Sequence, residues 1–232
     1  MNASISGNLE PQFNPFEETP LAEIIQMTAM AWTRLRQPGR RDLEDSITFR
    51  LAGRIANDPQ FADSPYDVVA QYWELGLNGE LLGRIDLRFK HRHSNRLYFA
   101  FEAKRLHVTY PKGRFSTEYA TYTGPDGMLA FVDESYAKGF AAGGMLGYVM
   151  DGQSQTALDG LALNIDKRRT ELKLSPNSAL AKSKLSHVLQ GCLDGMFLSE
   201  TSHDLPDHAL RLLHLVVPVS QTLNALTATG PS

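Results

Sequence analysis

Hydrophobic and charged positions alternate with a period of two from Gly83 to Phe89: Ile85, Leu87 and Phe89 are apolar, while Arg84, Asp86 and Arg88 are charged. This alternation predicts a half-buried strand. The same parity runs from Leu97 to Lys104, with Leu97, Phe99, Phe101 and Ala103 on one face and Tyr98, Ala100, Glu102 and Lys104 on the other, because successive strand side chains point to opposite sides. Upstream, Val68–Leu77 reads as another strand, and Asn78–Gly79 as a hairpin turn, since both residues tolerate positive φ. Val68–Leu77, Glu80–Phe89 and Leu97–Val108 are thus expected to form an antiparallel meander. If the last two pair through the polar segment Lys90–Arg96, Asp86 falls opposite or diagonal to Glu102 on the same face. Two carboxylates and Lys104 then converge.

A period of three to four marks the helices. Pro20 opens one carrying Leu21, Ile24, Met27, Ala31 and Leu35, and Gln37-Pro38-Gly39 ends it, with proline at a first-turn position. A second is expected from about Arg41 to Asn57, with Leu43, Ile47, Leu51 and Ile55 on one stripe and Glu44 at its border. A carboxylate there is either a half-exposed helix charge or a group reaching into the sheet. Beyond a long Thr109–Gly127 loop, Met128–Ala142 reads as a helix, Gly144–Gly152 as a buried strand and Gln153–Leu174 as a helix with a basic end, Lys167 to Arg169. The segment after Pro176 is ambiguous to Leu189, and Met196–Ser202 and Leu210–Val219 read as final strands, with Pro218 ending the last or marking an edge. Residues 1–19 read as a flexible arm, 20–222 as a single domain and 223–232 as a tail. The fold class expected is α/β.

Composition narrows the setting. The 232 residues carry a net charge of −3 and one cysteine, Cys192, which excludes a disulfide framework or a cysteine-based zinc site and suits a reducing compartment. No apolar run approaches a membrane span, and the first residues lack the pattern of a signal peptide, so a cytoplasmic protein is expected. Between Arg84 and Arg114, nine lysines and arginines stand against Asp86 and Glu102 alone. Such a field attracts polyanions, although charge also protects an exposed hairpin edge. His91 and His93 lack a third ligand of obvious spacing, which argues against a histidine metal centre. His203, His208 and His214 read as loop or sheet histidines.

The chemistry suggested by Asp86, Glu102 and Lys104 is phosphodiester hydrolysis. Hard cations take carboxylate, carbonyl and water oxygens, which Asp86, Glu102 and the Ala103 carbonyl can supply. A lysine beside them can orient water and offset transition-state charge. Ile85-Asp86, a 15-residue interval, then Glu102-Ala103-Lys104 resembles the PD-(D/E)XK, or restriction-endonuclease-like, nuclease superfamily, with Ile85 in place of its proline. That resemblance implies a mixed central sheet flanked by helices, Asp86, Glu102 and Lys104 as catalytic residues, and Glu44 as the acidic residue of the first core helix. It further implies Mg²⁺, or Mn²⁺, held by Asp86, Glu102 and Ala103. The substrate expected is DNA in preference to RNA, with Arg84, Arg88, Lys90, Arg92, Arg105, Lys112 and Arg114 as the nucleic-acid contacts. The resemblance also suggests an effector of prokaryotic antiviral defence, acting as a homodimer or with a partner protein. The alternative is a non-catalytic nucleic-acid-binding or assembly subunit of the same fold.

Overall fold

The computed structural model describes residues 18–75, 78–92, 98–135 and 137–220. Nearly all of the expected arm and all of the expected tail lie outside these residues, as does His93. Helix α1 spans Glu18–Arg34, so it begins two residues before Pro20; α2 spans Glu44–Ala56 and α3 Pro59–Ala62. Strands β1 (Tyr66–Leu75), β2 (Leu81–His91) and β3 (Tyr98–Leu106) follow. Next come the short strands β4 (Val108–Thr109) and β5 (Phe115–Ser116), and the five-residue helices α4 (Tyr119–Thr123) and α5 (Met128–Val132). Strand β6 (Ala142–Val149), helix α6 (Ser154–Lys167), and strands β7 (Ala181–Lys182), β8 (Phe197–Asp204) and β9 (Ala209–Pro218) complete the order.

Seven strands form one mixed sheet in the order β1-β2-β3-β6-β9-β8-β7. The meander is present: β1 and β2, and β2 and β3, pair antiparallel. The chain then crosses over, and β6 lies parallel to β3, with β9 parallel to β6. Strand β6 is buried along its whole length, as expected of a parallel strand covered on both faces. Pro218 does end β9, but that strand is interior, between β6 and β8; proline is tolerated because it is the last residue of the ladder.

Two apolar layers sandwich the sheet. On one face Ile24, Ile25 and Trp32 of α1 and Ile47, Leu51 and Ile55 of α2 pack with Leu87, Phe89, Phe99, Phe101 and Tyr148. Trp32 stacks on Tyr148 at 5.1 Å, and its indole N–H donates to the Pro218 carbonyl. On the other face α5 and α6 supply Met128, Leu129, Phe131, Leu161 and Ile165 against Tyr98, Ala100, Met145 and Val216. Burying each of these large side chains contributes about 1.5–3 kcal/mol. No helix among the described residues is long and apolar enough to cross a membrane.

The loop expected over Thr109–Gly127 holds β5, α4 and the end of β4, and three expected helices differ. The helix expected over Met128–Ala142 stops at Val132, because Glu134, Ala137 and Gly139 adopt left-handed backbone angles that a right-handed helix cannot continue through. The helix expected over Gln153–Leu174 stops at Lys167, and Lys173 is likewise left-handed. In the third case, Leu43 is the residue before α2 and is 66% exposed. The buried stripe of α2 therefore starts at Ile47, and Glu44, three residues earlier, lies on the same face.

Candidate active site

Asp86 sits where β2 and β3 part. Their ladder runs Lys90↔Tyr98, Phe89↔Phe99, Arg88↔Ala100 and Leu87↔Phe101, then ends; continued by one pair, it would place Asp86 opposite Glu102. Instead the Asp86 Oδ2 accepts the backbone N–H of Ala103 at 2.9 Å, and its Oδ1 accepts the Gln71 side-chain N–H at 2.9 Å. Gln71 lies between the pairs Ala70↔Leu87 and Tyr72↔Ile85, across from Asp86, and has a left-handed φ of 56°. A non-glycine residue with that φ interrupts the regular pleat. The expected single apolar face of β2 is accordingly broken: Leu87 and Phe89 pack with α1 and α2, whereas Ile85 packs in the opposite layer.

Lys104 stands among three carboxylates. Its Nζ lies 2.5 Å from Glu102 Oε1, 3.4 Å from Glu44 Oε1 and 3.9 Å from Asp86 Oδ2, and donates to the Ala103 carbonyl at 2.9 Å. Asp86, Glu102 and Lys104 are only 3%, 5% and 6% exposed. Burial alone would lower the lysine pKa, but Glu102, Glu44 and Asp86 outweigh it and raise it, so the group stays an ammonium at neutral pH. Glu44 joins from the first turn of α2, where negative charge is favoured by the helix dipole, and its Oε2 accepts the backbone N–H of Arg105 at 2.9 Å. Burial raises the Glu44 pKa; Lys104 opposes that shift and Asp86 adds to it.

These groups form the wall of a cavity of about 690 Å³, together with Gly83, Arg84, Arg105, Val108, Tyr110, Glu118, Thr121, Pro125, Asp126, Ala130 and Ser135. Glu118 has a left-handed φ of 58°. Its burial would raise its pKa, but hydrogen bonds from Ser116, Thr121 and Tyr110 prevail and lower it. The lining therefore carries five acidic residues against three basic ones. The basic bias of the sequence does not make the cavity itself basic.

The expected nucleic-acid contacts separate into groups. Arg84 and Arg105 reach the cavity. Arg84 also pairs with Asp45 at 3.4 Å, and Arg105 donates to the Asp42 carbonyl. Arg114 lies over the ring of Tyr110, a cavity residue, at 4.6 Å, and Lys112 is exposed in the turn Pro111–Gly113. Arg88 is not a surface contact: it is 6% exposed, with its guanidinium 4.0 Å from the Tyr72 ring and 4.2 Å from the Tyr98 ring. Lys90 lies four residues along β2 from Asp86, about 13 Å away at strand rise, and Arg92 is tied to Asp67 and to the Ala62 carbonyl. Two cations on the sequence's basic stretch thus serve the far end of the hairpin.

Other polar groups lie outside the cavity lining, and His203 and His214 are sheet histidines, as expected. His107, also left-handed, is held by Asp151 at 3.0 Å on Nδ1 and by the Tyr119 hydroxyl at 2.7 Å on Nε2. His203 and His214 are fully buried in a sheet network through the Thr201 hydroxyl, at 2.8 and 2.9 Å, and His214 also meets the Tyr122 hydroxyl at 3.0 Å. Burial, with His203 adding to it, pushes the His214 pKa down to about 3.

Among the described residues, no three His, Cys, Asp or Glu side chains are arranged as a metal cage. What Asp86, Glu102 and the Ala103 carbonyl provide is a hard-oxygen donor set. Three carboxylates around one ammonium also leave two negative charges uncompensated, the charge of one divalent cation. That set suits Mg²⁺, which binds through one or two carboxylates and keeps several waters. Comparison of the chain with family models, curated proteins and solved structures returns no match.

Proposed function

We propose that this cavity is the active site of a metal-dependent nuclease with a restriction-endonuclease-like core, hydrolysing phosphodiester bonds, with DNA as the preferred substrate. The observation that carries the reading is the convergence of Asp86, Glu102 and Glu44 on the Lys104 ammonium, from two strands and a helix, in the wall of one cavity. A buried cluster with excess negative charge is costly to maintain unless a cation or a function compensates it.

Asp86, Glu102 and the Ala103 carbonyl would hold Mg²⁺ or Mn²⁺, which when bound supplies Lewis-acid neutralisation of phosphate charge. Lys104, held as an ammonium, is unsuited to accept a proton. It donates hydrogen bonds instead, orienting a water or offsetting charge on the reacting phosphate. Glu44, whose pKa is raised by burial, is the carboxyl group we assign to exchanging a proton with that water. Arg84 and Arg105 are positioned to meet phosphate oxygens at the cavity wall. The defence role rests on the resemblance alone.

A second reading, a binding or assembly subunit without catalysis, is favoured by one observation: both Asp86 oxygens and Glu102 Oε1 already accept hydrogen bonds from protein donors. Incubation with circular DNA, linear DNA and structured RNA, in Mg²⁺, Mn²⁺ or EDTA, separates the two. Cleavage in metal that is lost in Lys104→Ala supports the nuclease; binding with no cleavage of any substrate supports the subunit.

A further inference from the structure

Two aromatic rings are joined to the cavity lining, each paired with an arginine. On the β1–β2 hairpin, the Arg84 guanidinium lies 5.7 Å from the centre of the Trp73 ring, and Trp73 is 54% exposed. Near β4 and β5, Arg114 lies 4.6 Å from the centre of the Tyr110 ring, next to the exposed Phe115; Tyr110 itself is half-buried, packed against the core and donating its hydroxyl to Glu118. Arg84 and Tyr110 are themselves cavity residues, so each pair has one member in the wall and one outside it. Trp73 lies on the edge strand β1 with more than half its surface in solvent, a place where selection against aggregation favours charge. It is accounted for if a flat π-surface occupies it in the bound state.

We propose that Trp73 is a stacking platform for unpaired bases, and that the substrate of this site is single-stranded nucleic acid or a single-stranded segment of a longer one. The inference rests on the nuclease reading for its substrate, but its binding claim can be tested without catalysis. In a duplex the base faces are covered by their neighbours, and only unpaired bases offer a face to an aromatic side chain. The arginines beside the rings supply the positive charge that follows the phosphate backbone between stacked bases. The acidic lining of the cavity points the same way. Five carboxylate side chains repel a strand held by net charge alone, so anchorage beside the cavity has to come largely from contacts that do not depend on net charge. Stacking is such a contact.

The protein carries its own reporter. Of its two tryptophans, Trp32 is buried against Tyr148, and Trp73 alone is exposed. The full chain is titrated in EDTA with an oligothymidine single strand, and separately with the same strand annealed to oligodeoxyadenosine, following tryptophan emission. The single strand is expected to quench emission and the duplex to quench it far less. The Trp73→Phe protein should bind the single strand with little loss but show no quenching. In Trp73→Ala, single-strand affinity measured by fluorescence anisotropy of a labelled strand should fall about tenfold or more, with the far-ultraviolet circular dichroism unchanged. Equal quenching by the duplex, or unaltered single-strand affinity in Trp73→Ala, overturns the proposal. If the single strand binds selectively through Trp73 yet no substrate is cut in Mg²⁺ or Mn²⁺, the nuclease reading fails and the stacking site stands. If a duplex is cut as fast as a single strand, with no effect of Trp73→Ala, the nuclease reading stands and the stacking site fails.

Discussion

The carboxylate of Asp86 accepts the backbone N–H of Ala103 across the point where β2 and β3 separate. A side chain thereby takes the place of a strand carbonyl, and the opening it leaves admits Lys104 and Glu102 to the cavity. Both Asp86 oxygens face N–H donors, from Ala103 and Gln71. An asparagine at this position must therefore aim its NH₂ at a donor, leaving one buried group unsatisfied. Asp86→Asn is expected to lower unfolding free energy by about 1–3 kcal/mol, measured by urea denaturation. An unchanged midpoint would show that the Ala103 and Gln71 contacts do not form.

Removing the ammonium should cost more than removing any one carboxylate. In Lys104→Met, Asp86, Glu102 and Glu44 lose their shared partner, and breaking a buried ion cluster in this way costs about 3–5 kcal/mol. The loss should be largest near pH 7 and smaller near pH 4, because protonating the carboxylates removes their mutual repulsion. Glu44, already shifted upward, should lead that relief. Denaturant curves at the two pH values check the prediction, and a loss that grows on acidification would contradict it.

The sheet histidines set an acid limit. The folded pKa of His214 is depressed by burial to about 3, and that of His203 is lowered in the same direction. Below the unfolded value of about 6.5, the unfolded chain binds protons that the folded chain refuses. The stability contributed by the neutral His214 imidazole is thus complete above that pH and falls as pH drops toward 3, by about 1.4 kcal/mol per pH unit, and His203 adds to the loss in the same direction. His214→Asn should flatten the pH dependence of the urea midpoint between pH 6.5 and 4 while lowering stability at pH 7. A wild-type midpoint independent of pH over that range would refute the assignment.

The sheet and its crossover were legible because strong period-two and apolar runs marked β2, β3, β6 and β9. The convergence of Asp86, Glu102 and Lys104 followed from parity and interval. Less was visible wherever backbone conformation decided the outcome: Gln71, Glu118, Glu134 and Ala137 are left-handed without being glycine, and nothing in their side chains announces it. Hence the break in the face of β2 and the early end of α5 were missed. Glu44 was recognised through the resemblance, but its place on the buried face depended on the start of α2. Charge counting failed for Arg88, because its two tyrosines come from different strands and meet it only when the sheet forms.

Arg88 tests that distinction. Replacing it with methionine removes a cation held between Tyr72 and Tyr98, and is expected to cost about 1–2 kcal/mol of stability while leaving the salt dependence of nucleic-acid binding unchanged. A phosphate contact would reduce the log–log salt slope by about one, and a reduced slope in Arg88→Met would return it to the binding surface.

Close packing over the crossover gives an independent check on register. Gly144 pairs with Phe101, and a Cβ there would lie 2.4 Å from the Phe101 ring. Gly144→Ala should therefore lose about 1–3 kcal/mol through overpacking, read as a lowered urea midpoint. A neutral substitution would mean that β3 and β6 pair in another register.

The central claim is that Asp86, Glu102 and Lys104 form a metal-dependent phosphodiester-cleaving site. The most direct measurement is single-turnover cleavage of a labelled DNA strand by the wild-type protein and by Glu102→Gln, each in Mg²⁺ and in EDTA, with folding checked by circular dichroism. Cleavage by the wild type in Mg²⁺ alone, and none by folded Glu102→Gln, is the predicted result. Cleavage by Glu102→Gln at the wild-type rate, or wild-type cleavage that persists in EDTA, would contradict it.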